Sequence, residues 1–151
     1  MTTLIKVVSI RDGQPIFDKP LPEFLRQCVP GGALQVLTPS KYITYQQIKW
    51  WKGCLLPALS KDTGDSRESW ETKLKLAVMP DEFTPEIITF NGKEYARIPS
   101  ITRLGIKKMN ELIEGSVAQC HDWSLLWVTL PDSELRKCWG EKQNGNTSRL
   151  R

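Results

Sequence analysis

Asn91-Gly92 lies between two alternating runs, Glu86-Ile87-Ile88-Thr89-Phe90 and Lys93-Glu94-Tyr95-Ala96-Arg97-Ile98. A two-residue connection of this kind needs positive φ at both central positions, which Asn and Gly tolerate, so the two runs are predicted to pair as an antiparallel hairpin. A second Asp-Gly signal sits in Arg11-Asp12-Gly13-Gln14. It joins the β-branched run from Leu4 to Ile10 to a short return, Pro15-Ile16-Phe17-Asp18.

Helical spacing fills most of the rest. Pro22, Glu23, Phe24, Leu25 and Cys28 predict a short helix that Pro30-Gly31-Gly32 stops. Ala33 to Leu37 is a strand candidate ended by Thr38-Pro39-Ser40. From about Thr44 to Ser60, Ile48, Trp51, Leu55, Ala58 and Leu59 share one helix face, extended by Leu56. Gln46, Lys49, Trp50 and Gly53 fall opposite. Ser66 or Asp65 caps a following helix in which Trp70, Leu74 and Ala77 or Val78 form the stripe and Pro80 closes the element. Ser100 or Thr102 starts a last long helix, about Arg103 to His121, with Ile106, Met109, Ile113, Val117 and Cys120 as its apolar face. Leu125 to Leu130 reads as a final strand before Pro131-Asp132.

Strands and helices mix without a βαβ rhythm. The expected fold is α+β: a single domain, 1–134, with a small antiparallel sheet and three to four helices packed on it. At 151 residues, one domain that buries its own core is the default.

Charge separates the body from the tail. After residue 134 there are five cations (Arg136, Lys137, Lys142, Arg149 and Arg151) and one anion (Glu141), a net +4. Subtracting them from the 21 Lys+Arg and 17 Asp+Glu of the whole chain leaves 16 of each sign in 1–134. The stretch 135–151 is therefore expected to be a mobile basic tail able to attract phosphates.

Several function classes lose support at this level. The longest apolar runs fall far short of the ~20 residues of a membrane span, and Met1-Thr2-Thr3-Leu4-Ile5-Lys6 does not read as a signal peptide, so the expected site is the cytoplasm. Cys28, Cys54, Cys120 and Cys138 make no CxxC pair and His121 is the sole histidine, so reduced thiols are expected, with no metal and no cofactor. A histidine-based triad would have to use His121, which the end of a helix accounts for more simply. No phosphate loop follows a strand. Asp62, Asp65, Glu68 and Glu71 could serve a metal-dependent nuclease, but their spacing equally fits a helix start. The expectation is a protein without a catalytic constellation.

Binding features are more visible. Trp50 falls with Gln46, Lys49 and Gly53 on the polar side of its helix, an aromatic ring beside a lysine. That combination suits base stacking beside a charged track, a protein-interface anchor, or a second layer that covers the ring. Arg103, Lys107 and Lys108 cluster at a helix N-terminus, where cations oppose the dipole while the backbone amides attract anions.

The order of these features resembles a known family. Thr44-Tyr45-Gln46-Gln47-Ile48-Lys49-Trp50-Trp51-Lys52-Gly53, followed by Leu55-Leu56-Pro57, is similar to a Tyr/Trp-rich helix start in the NinB (Orf) recombination proteins of lambdoid phages. Ile101-Thr102-Arg103-Leu104, a helix to about Gln119, a strand and Pro131-Asp132 resemble the closing pattern of the same proteins. The resemblance covers about the last two thirds of the chain. It implies a homodimeric α+β protein of the bacterial host cytoplasm that binds single-stranded DNA and assists loading of a recombinase onto strands coated by the host single-strand-binding protein. Gln47 and Gly53 match the family pattern. Its Asn falls on Ile48, its Arg-Ser on Ile43 and Thr44, and its helix-start His in the region of Ser69-Trp70, so those roles do not carry over.

The expected nucleic-acid-binding residues are thus Lys49, Trp50, Lys52, Arg103, Lys107 and Lys108, with Arg136 and Lys137 from the tail. The alternative is a protein-interaction module, an inhibitor or adaptor of a host factor, that binds no nucleic acid.

Overall fold

The computed structural model describes residues 4–27, 29–137 and 139. Cys28, Cys138 and the cations Lys142, Arg149 and Arg151 lie outside the described residues. The fold is α+β, and the chain divides into two compact units, one within residues 1–36 and one from residue 37 onward.

In the first unit, β1 (Val7–Arg11) pairs antiparallel with β2 (Gln14–Phe17), with a register shift between Val7 and Ser9. Asp12 and Gly13 both take positive φ, 52° and 75°, as the Asp-Gly signal predicts. The base of the hairpin is closed by Asp18, whose N–H donates to the Lys6 carbonyl and whose Oδ1 accepts from the Lys6 N–H, both at 2.9 Å. The short helix α1 (Leu21–Leu25) follows, with Pro22 in its first turn and no buried residue. The strand expected from Ala33 to Leu37 is absent: Val36 is 95% exposed and no strand pairs with this run. A short apolar run makes a strand only where a partner supplies the hydrogen bonds.

The second unit is built around helices. One continuous helical rod comprises α2 (Pro39–Trp50), a π turn (Trp51–Leu55) and α3 (Leu56–Thr63). It starts earlier than its apolar spacing predicts. Thr38-Pro39-Ser40 is a helix start and not a strand stop: Thr38 Oγ1 accepts from the Lys41 N–H at 3.3 Å, and Pro39 occupies the first turn. The π turn has a local cause. Pro57 has no N–H, and in a regular helix its ring would press on the carbonyl of Gly53. The preceding turn widens, and the Leu56 N–H reaches back five residues to the Trp51 carbonyl.

Ser66 Oγ caps α4 (Arg67–Val78) by accepting from the Ser69 N–H at 3.1 Å. The hairpin of β3 (Glu86–Phe90) and β4 (Lys93–Arg97) is the one forecast, with Asn91 at φ 49° and Gly92 at 72°. It forms its own two-stranded sheet, separate from β1–β2. A 3-10 turn (Ile101–Arg103), capped by Ser100, leads into α5 (Gly105–Asp122). Arg103 therefore precedes the last helix instead of opening it.

The core is helix against helix. α5 packs on α2 and on α4, and α3 packs on α4. Trp51, Leu55, Leu56, Leu59, Trp70, Leu74, Met109, Leu112, Ile113, Val117 and Cys120 fill the space between them. Of the α4 stripe, Ala77 is exposed and Val78 is half-buried. Gly115 lets α4 and α5 approach, because a Cβ there would meet Val78 Cγ1 at 2.3 Å. The strand expected from Leu125 to Leu130 does not form. Ser124 takes φ 66°, and the Leu125 N–H returns to the Cys120 carbonyl at 2.8 Å, so the chain folds back over the helix end with no partner strand. The stretch expected to be a tail from residue 135 begins within a short helix, α6 (Ser133–Arg136), and Trp139 is buried in the core.

Candidate nucleic-acid interface

The two segments that carry the family resemblance meet in the core. Gln47 is wholly buried, and its Nε2 donates to the Ile106 carbonyl at 3.0 Å. One turn on, the Trp51 indole N–H donates to Ser116 Oγ at 3.0 Å, and that hydroxyl donates to the Leu112 carbonyl at 2.6 Å. Gln47 thus joins α2 to the first turn of α5, which is a packing role. Gly53 is exposed on the π turn, with open space around it apart from the Lys49 side chain.

The expected cations do not gather into one track. Lys49 is exposed on α2 and makes no ion pair among the described residues. It lies about 200° around the helix from Gln47, and so faces away from α5. Lys52 reaches α4, where it pairs with Glu71 at 3.6 Å. Arg103 pairs with Glu86 at 3.5 Å and donates to the Glu82 carbonyl, and Lys108 pairs with the Glu82 carboxylate. Lys107, one residue before, is exposed without an ion pair among the described residues. Arg136 pairs with Glu114 on α5 at 3.1 Å, and Lys137 is exposed but partnered. Lys49 and Lys107 are therefore the two of this set that offer an uncompensated charge.

Trp50 is half-buried and packed against the core, so its ring is covered in part by the second layer. The exposed indoles are Trp123 and Trp127. Neither was singled out by sequence, because both lie where a buried strand or helix end was expected. The aperiodic fold-back after Asp122 is what turns them outward.

Of the other polar groups singled out in the sequence, His121, Asp62, Asp65 and Glu71 have local partners. His121 Nε2 lies 2.6 Å from the Val128 carbonyl, which pins the chain after α5. Asp62 accepts from the Trp127 indole at 3.1 Å, Asp65 pairs with Lys73 at 2.5 Å, and Glu71 pairs with Lys75 at 2.7 Å. Among the described residues, no group of three or more His, Cys, Asp or Glu side chains is placed to hold a metal ion. No described helix is long and apolar enough to cross a membrane. Burial pushes the Cys120 thiol up to about 11.

Comparison with family models, with curated proteins and with solved structures finds no match for this chain.

Proposed function

We propose that this chain is a non-catalytic accessory protein that binds single-stranded DNA in phage-type recombination. One observation carries the proposal. The two separated segments that resemble the NinB (Orf) proteins, 44–57 and 101–132, are joined in one packed unit by the Gln47 and Trp51 hydrogen bonds. The exposed Lys49 and Lys107, unpaired among the described residues, are available to phosphates on that same unit. The proposal includes a homodimer acting in the bacterial cytoplasm, with the host single-strand-binding protein or recombinase as partner. Fluorescence-anisotropy titration of a labelled single-stranded oligonucleotide, with the matching duplex in parallel, tests it. The expected result is micromolar or tighter binding to the single strand that weakens steeply between about 50 and 200 mM salt. No binding at low salt would sink it.

A second observation favours the protein-interaction reading. Ile87, Ile88, Phe90 and Tyr95 are all exposed on the β3–β4 hairpin, an apolar surface of the sort that partner proteins cover. Under that reading, binding to a partner would be insensitive to salt, and the oligonucleotide would not bind.

A further inference from the structure

We infer that a base of the bound strand occupies the depression between α3 and the segment after α5, stacked on Trp127 with its phosphate beside Lys61. This rests on the single-strand-binding reading and names where the bases go.

Single-strand sites combine an aromatic surface with a neighbouring cation. Among the six tryptophans, Trp51, Trp70 and Trp139 are buried, and Trp50 is packed against the core. Trp123 is 41% exposed, but its ring leans on Trp70, with centroids 5.9 Å apart and planes at 54°. Trp127 is 46% exposed and forms part of the wall of an open depression of about 370 Å³, lined also by Ala58, Lys61 and Asp62.

The platform is held before any ligand arrives. The indole N–H is bound to Asp62 Oδ2 at 3.1 Å, a contact in the ring plane that leaves the π faces for stacking. The next residue, Val128, is buried, and its carbonyl is held by His121 at 2.6 Å. A ring fixed on both sides loses little freedom when a base lands on it. Ala58 leaves room beneath. Lys61 is exposed in the last turn of α3 and makes no ion pair among the described residues, unlike Lys52 and Lys73. It belongs to the same helical rod as Lys49, about three turns further along.

The test is anisotropy titration of a labelled single-stranded oligonucleotide with the full chain and its variants, alongside intrinsic tryptophan emission. Trp127→Ala is expected to weaken binding about ten-fold, Trp127→Phe to retain most of it, and Lys61→Ala to lower the salt slope by about 0.7. DNA-induced quenching of the tryptophan emission should largely disappear in Trp127→Phe, a readout that survives if the alanine variant folds poorly. If the unaltered chain binds and both Trp127 variants bind and quench as it does, the base lies elsewhere and the wider reading stands. If the unaltered chain does not bind, both fall, and a protein anchor becomes the occupant to seek.

Discussion

Among the described residues, Gln47, Lys75 and Ser116 are the polar side chains buried in an otherwise apolar core. Each is placed by a bond that the surrounding helices need. Ser116 is the clearest case, since it accepts from the Trp51 indole while donating to the Leu112 carbonyl. Ser116→Ala would leave the Trp51 N–H buried without a partner, which costs about 1–3 kcal/mol. Urea unfolding should show that loss with an unchanged m-value, and an unaltered midpoint would mean the bond contributes nothing net. Lys75 reaches the Pro99 carbonyl at 3.0 Å and stands 5.3 Å from the centre of the Phe83 ring, which ties α4 to the chain on both sides of the β3–β4 hairpin. None of these roles was legible in the sequence. A Gln, Lys or Ser on a helix reads as solvent-facing until the partner across the interface is known. Cys120 is the opposite case, since its place on the apolar face of α5 foretold its burial. Its thiol stays protonated until about pH 11, while an unfolded thiol ionises near 9. The linkage therefore leaves stability untouched below about pH 9 and lowers it as pH rises from there toward 11. Alkylation mapped by mass spectrometry near pH 8 should mark the exposed Cys54 and spare Cys120 until denaturant is added. Equal labelling of the two in the folded protein would contradict the burial.

The elements divide by how local their causes are. Both hairpins were legible because Asp12-Gly13 and Asn91-Gly92 fix the turn whatever lies around them. The helical rod, α4 and α5 were legible from their apolar faces, and Ser66 marked the start of α4, whereas Ser100 caps the 3-10 turn ahead of α5 and the four-residue α6 is too short to show a periodic face. The two missing strands were not, because Ala33–Leu37 and Leu125–Leu130 carry strand composition but find no hydrogen-bonding partner. The π turn was not legible either, because Pro57 alone does not say whether a helix ends, kinks or widens at that point. A further tertiary feature is the crossing of α4 over α5. Gly115 exists there without positive φ, so its smallness and not its backbone freedom is what the site uses. A Cβ would sit 2.3 Å from Val78 Cγ1, so the helices would have to separate or Val78 would have to change rotamer. Gly115→Ala should destabilise by about 1–3 kcal/mol despite the better helix propensity of alanine. Val78→Ala in the same chain should recover part of that loss, which a double-mutant cycle by thermal melting would show. Simple additivity of the two changes would mean that the crossing is looser than its geometry.

For the whole molecule, the proposed single-strand binding turns on which cations a DNA strand could use. The sequence shows a chain that nets +4, with cations clustered near 49–52 and 103–108. It does not show that most of those cations have carboxylate partners from distant segments: Lys52 with Glu71, Arg103 with Glu86, and Lys108 with Glu82. Such surface pairs are worth little to stability. They matter for binding, because a lysine beside a carboxylate brings almost no net charge to a phosphate. Counterion release from a single strand should therefore come mainly from the unpaired cations. Each phosphate neutralised contributes about 0.7 to the slope of log K against log salt. Lys49→Ala and Lys107→Ala should each lower the slope by about that amount, and together by about twice it. Lys52→Ala should change it much less, since it removes a cation and frees Glu71 to repel the strand or to rely on Lys75, at 2.7 Å, alone. Slopes measured by anisotropy across a salt series separate these cases. A drop for Lys52→Ala as large as for Lys49→Ala would show that the ion pair opens on binding, and the charged track would then follow the sequence clusters and not the residues left unpaired by the fold.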